Sequence, residues 1–120
     1  MAGSQSGQAF RKRTEAAIAR DDPHELVDVV LEIALEAEER EWAQACFAAL
    51  ARHRDTNVRG DAVAGLGHLA RRFGQLDPHR VKRIVEIALW DRSDYVRKQA
   101  QSAAEDLATF LQWEFEGPVS

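Results

Sequence analysis

The chain has 120 residues, with 16 Lys plus Arg against 20 Asp plus Glu and a net charge of −4, so it suits one domain that buries roughly two-thirds of its unfolded surface. That mildly acidic balance argues against a general nucleic-acid binder, whose domain is normally strongly basic. A single cysteine, Cys46, excludes a disulfide framework or a CxxC redox pair, and the lack of an apolar leader or of a run of about 18 apolar residues predicts a soluble cytoplasmic protein with no membrane partner.

No stretch alternates with period two, whereas apolar residues recur three and four apart almost throughout, which predicts an all-helical chain. A flexible tail is expected at 1–9 and a C-terminal tail at 114–120, around a helical repeat domain at 10–113. The first helix is predicted near 8–20, where Arg11-Lys12-Arg13 reads as a solvated helix start rather than a nucleic-acid contact. The second, near 23–37, opens on Asp22-Pro23-His24-Glu25, which offers an N-cap, a proline at the first helical position and a glutamate to complete a capping box.

Within that second helix Glu25, Asp28, Glu32, Glu36 and Glu39 fall three or four apart on one narrow stripe. Leu26, Val29, Val30, Ile33 and Ala37, together with Val27, Leu31, Ala34 and Leu35, fill nearly everything else. The helix is therefore expected to be clasped between neighbours with only an acidic edge showing. Like charges at i, i+4 destabilise an isolated helix by a few tenths of a kcal/mol per pair, so the stripe is either a solvated face or a docking edge for a basic surface.

The third helix, near 40–53, places Trp42, Ala45, Cys46, Ala49 and Leu50 on one face, and both Trp42 and Cys46 read as packing residues. Asp55 or Thr56 can cap the fourth, near 57–74, and Gly74 can end it. Gly65 and Gly67 inside it each cost about 1 kcal/mol against alanine, which implies close approach by a neighbouring helix or by a partner touching Gly67 and His68. Asp77-Pro78 opens a fifth helix near 78–90, with Val81, Ile84, Val85, Ala88 and Leu89 at amphipathic spacing. Ser93 or Asp94 can cap the sixth, near 94–112, beyond which Trp113 can cover its end.

Two stretches then explain each other: "DTNVRGDA" at 55–62 and "SDYVRKQA" at 93–100. Val58 superposes on Val96, Arg59 on Arg97 and Ala62 on Ala100, a period of 38 residues. Each copy follows another amphipathic helix, so the unit is a helix pair, which cannot bury its apolar faces alone and must stack on neighbours. The pattern Asp55, Val58, Arg59, Ala62, Leu66 resembles the signature of HEAT-type repeats. That resemblance implies a right-handed α-solenoid of about three helix pairs in which the valine and alanine are core. Arg59 and Arg97 would belong to an internal ladder, with Asp55, Asp91 or Asp94 as partners.

Chemistry is harder to find. His24, His53, His68 and His79 form no HExxH or HxxxH pair, and there is no Walker loop, GxSxG or Cys-His arrangement. No metal, cofactor or enzymatic activity is expected. Charge is unevenly spread: residues 1–20 carry +3, 21–41 carry −8, 52–98 carry +5 and 99–120 carry −4. If the second, fourth and sixth helices line one concave side, the acidic stripe joins Asp61, His68, Arg71, Glu105 and Asp106 there, a lining that would steer a cationic partner. In size and architecture the chain resembles the small cytosolic immunity proteins of bacterial toxin and contact-dependent inhibition systems. The resemblance implies a protein partner, a toxin domain of the basic nuclease kind. The alternatives are a general HEAT-repeat scaffold and, from the enzyme class, a HEAT-like DNA-repair glycosylase or tetrapyrrole lyase.

Overall fold

A computed structural model describes residues 2–115. Among them are six helices and no strand: α1 Ala2–Arg20, α2 Pro23–Glu36, α3 Arg40–Leu50, α4 Thr56–Phe73, α5 Pro78–Ala88 and α6 Asp94–Leu111. Their starts follow from local hydrogen bonding. Asp22 and Asp77 accept the amides of His24 and His79, each at 3.1 Å, ahead of a proline that has no amide to satisfy. Asp55 accepts from Asn57 at 2.9 Å and Val58 at 3.0 Å, and Ser93 accepts from Val96 at 3.3 Å. Gly74, at φ 66°, takes the left-handed conformation that closes α4 on Ala70.

Several boundaries differ from those read in the sequence. Glu25 does not close a capping box; Arg20 takes its carboxylate at 2.7 and 3.0 Å, since a charged donor binds it more strongly than a neutral amide. Helix α1 starts at Ala2, so residues 2–9 are helical where a flexible tail was predicted; once nucleated, a helix extends at one bond per residue fixed. Helices α3 and α5 stop early because the chain tightens into i+3 turns, His53 to Leu50 at 3.0 Å and Asp91 to Ala88 at 3.1 Å. Most of the tail assigned to 114–120 lies outside the described residues.

Helix α4 is central and touches α2, α3, α5 and α6. Helices α2 and α6 each pack on α4 without touching each other, α3 and α5 pack against α4 and each other, α5 also meets α6 and α2 meets α3, and α1 rests on α2. Phe47, Val58, Ala62, Leu66, Val96, Ala100 and Leu107 are fully buried between these elements. Gly65 and Gly67, two of the three glycines of α4, are where it is gripped: a Cβ on Gly65 would lie 2.6 Å from the Phe47 ring, and one on Gly67 would lie 2.7 Å from Asp106 and 3.2 Å from the Ala103 backbone. The close approach comes from α3 and α6, so packing accounts for both glycines.

The repeated arginines hold the loops before their own helices. Arg59 donates from Nε and Nη2 to the Asp91 carboxylate at 2.8 and 2.9 Å and from Nη1 to the His53 carbonyl at 3.1 Å. Arg97 donates from Nη1 to the Asp91 carbonyl at 2.6 Å and pairs with Asp94. Both therefore reach the carbonyl six residues back, at equivalent points of the two copies. The Arg59 hydrogen bond, helped by the Ser93 amide, holds the Asp91 carboxyl below the usual carboxylate range against the opposing effect of burial. Asp21, between α1 and α2, ties the same loop from the other side, accepting from Arg54 at 2.7 Å and meeting His53 Nε2 at 2.6 Å.

Candidate functional site

Helix α2 buries Leu26, Val29, Val30, Ile33 and Ala34, and spacing by three and four then places Asp28, Glu32 and Glu36 on its solvent side, all exposed. Among the described residues these three make no hydrogen bond or ion pair. The other two acids of the sequence stripe are already occupied. Glu25 belongs to Arg20. Glu39 lies beyond the end of α2, at the N-cap of α3, and meets Arg11 at 3.4 Å. The free part of the edge is thus shorter than the sequence suggests.

The helix is also less enclosed than expected. Leu31 and Leu35 are 57% and 61% exposed, because the three helices that touch α2, namely α1, α3 and α4, leave these side chains uncovered. The acidic edge therefore carries an apolar strip beside it. Hydrophobic spacing alone could not have shown this, since it reports which residues share a face and not whether a neighbour covers that face.

A cleft of about 260 Å³ opens between α2, α4 and α6, lined by Asp28 and Leu31 from α2, Asp61, Ala64 and His68 from α4, and Gln99 from α6. Asp28, Asp61 and His68 are thus brought together, 40 residues apart at the extremes of the sequence span Asp28–His68. Asp61 is held in place, accepting from the Tyr95 hydroxyl and from Gln99 Nε2 at 3.1 Å. Burial first, then this carboxylate, pushes the Tyr95 hydroxyl up to about 12. His68 is half-buried at the cleft wall.

Further along the same surface Arg71 binds Asp106 at 3.1 Å and lies 5.8 Å from the Phe110 ring. That pair neutralises itself, leaving Glu105 exposed beside it. Of the residues the sequence assigned to this surface, Asp28, Asp61 and His68 converge on the cleft, Glu32, Glu36 and Glu105 remain unpaired, and Glu25, Glu39, Arg71 and Asp106 are engaged within the chain.

Among the described residues no three of His, Cys, Asp and Glu lie close enough to hold a metal ion, and no helix is long and apolar enough to cross a membrane. Cys46 is buried, and desolvation, with Glu15 adding to it, pushes its thiol up to about 11. Only the thiolate is a nucleophile, so Cys46 is expected to resist iodoacetamide at about pH 8 in the native protein and to react once urea unfolds it. Rapid native labelling, read by mass spectrometry, would show that this thiol is not enclosed.

Trp42 is half-buried, edge-on to Phe10 at 5.9 Å with Nε1 donating to Glu15 at 3.2 Å, and Trp113 packs on Phe115 at 6.3 Å. Trp90, by contrast, is exposed at the end of α5. No protein-family model matches the chain, and no curated protein matches it at a significant level. Among solved structures, a chain of the contact-dependent inhibition (CDI) complex from Cupriavidus taiwanensis is similar to it, with 29% identity over 82% of this chain and 88% of that one and a TM-score of 0.71. The likeness therefore extends through most of both chains and reaches sequence as well as fold.

Proposed function

We propose that this chain is an immunity protein of a contact-dependent inhibition system, which binds a cognate toxin domain in the cytoplasm and neutralises it. The observation that carries the reading is the likeness to a chain of the C. taiwanensis CDI complex over most of both lengths. The HEAT-like arrangement is part of the proposal: α1/α2, α3/α4 and α5/α6 as three pairs of a right-handed solenoid, with the second helix of each pair on the binding side. The equivalent positions of Arg59 and Arg97 support that assignment.

The partner's chemistry follows from the unpaired acids. Asp28, Glu32 and Glu36, next to exposed Leu31 and Leu35, suit a toxin surface with basic side chains around an apolar centre. Rim charges of this kind act mainly on encounter rate and its salt dependence. A nucleic-acid ligand does not fit an edge of that sign.

Co-expression with any toxin domain found encoded beside it, followed by co-purification and binding kinetics in rising salt, tests the reading. Changing Asp28, Glu32 and Glu36 together to lysine is expected to weaken binding about 100-fold or more at low salt, mostly through a slower association rate. Unchanged affinity would remove the acidic edge from the interface, and a chain that binds no toxin domain would remove the immunity role itself.

A further inference from the structure

The α3/α5 side carries a patch of opposite character. Ile87 and Trp90 are 62% and 69% exposed at the end of α5. Two depressions meet at Arg83 and Ile87, one running to Trp90 and Arg92, the other to Arg52 and Arg80. Among the described residues the side chains of these four arginines make no ion pair or hydrogen bond; of the two acids that line the first depression, Asp91 is committed to Arg59 and Glu86 is engaged within the chain, so arginine predominates. Tryptophan and arginine together form the composition enriched in the energetic centres of protein interfaces.

The counterpart of this patch is on the same molecule. The α2 edge presents Leu31 and Leu35 beside Asp28, Glu32 and Glu36: two exposed apolar side chains with unpaired charges of one sign. The α5 patch has two exposed apolar side chains with unpaired charges of the other sign. Each desolvates the apolar pair of the other and supplies its counter-ions.

We infer that the chain docks on a second copy of itself, the α5 patch of one molecule against the α2 edge of the next. The patches lie on different helices, α2 and α5, which both pack on α4 and, among the described residues, do not touch each other. One pair of surfaces used in this way is heterologous, and it propagates head to tail rather than closing a two-fold dimer. The inference uses the α2 edge of the immunity reading without depending on any toxin. A toxin seated on that edge would cap the assembly, so the copies would come apart as the partner binds.

Sedimentation of the full chain over a concentration series tests this. In about 20 mM salt the average mass is expected to rise with concentration beyond twice 13.5 kDa. In about 500 mM salt, where screening acts within a few Å, it should fall back toward the monomer. Trp90→Ala with Arg83→Ala removes one surface and Asp28→Asn with Glu32→Gln and Glu36→Gln removes the other; each variant alone is expected to associate at least about tenfold more weakly. These side chains are exposed, so the core is untouched. Mixed together, the two variants should recover a complex that stops at the heterodimer. A chain that stays monomeric in low salt, or association that either variant leaves intact, overturns the inference, and neither result bears on toxin binding.

Discussion

Phe47→Ala is expected to lower the unfolding free energy by about 3–5 kcal/mol, a third or more of the stability of a typical domain. Its ring is fully buried and fills the space that the missing side chain of Gly65 leaves open, with the nearest ring atom 2.6 Å from where a Cβ would stand. Gly65→Ala alone gains about 1 kcal/mol of helix propensity but forces a ring that has no free space to retreat into, at about 1–3 kcal/mol. A net loss of up to about 2 kcal/mol follows. In the double variant the new methyl occupies part of the void, so the combined loss should fall short of the sum by about 1 kcal/mol or more. Urea denaturation of the four proteins measures this coupling, and strictly additive losses would show that the two residues do not meet.

Arg59→Ala should be the next most damaging change, costing about 2–3 kcal/mol, because it leaves a half-buried carboxylate without its bidentate partner and frees the His53 carbonyl. Its effect depends on pH with a definite sign. Asp91 has its folded-state pKa below the unfolded value, so the stabilisation is fully present above about pH 4 and is lost as pH falls through the lower, folded value. Arg59→Ala and Asp91→Asn should both give a melting temperature that falls less steeply below about pH 4 than that of the parent chain. Equal acid slopes in all three would show that this pair does not contribute.

How far the sequence could be read depends on the range of each interaction. The caps at Asp22, Asp55, Asp77 and Ser93 and the stop at Gly74 were legible because each involves groups within four residues. The equivalence of Arg59 and Arg97 was legible because it is written twice. Glu39 looked like part of a free stripe because its partner, Arg11, lies 28 residues away, a separation that spacing cannot reveal. Leu31 and Leu35 looked enclosed because their sequence neighbours are apolar, yet exposure is decided by which helix lies opposite. The same limit hid Arg71 and Asp106 as a pair, since only the α4–α6 packing brings them within 3.1 Å. Helix number and most helix starts came from local patterns, whereas the make-up of the free acidic edge came from which charges the fold had already used.

The placement of α4 also bears on how the chain matures during synthesis. Helix α2 needs α4 to cover Val30 and Ala34, and α3 needs Gly65 to accommodate Phe47, yet residues 56–73 leave the ribosome after both. The first half of the nascent polypeptide therefore waits with its apolar stripes uncovered until Phe73 clears the exit tunnel, the interval in which it is most open to chaperones and proteases.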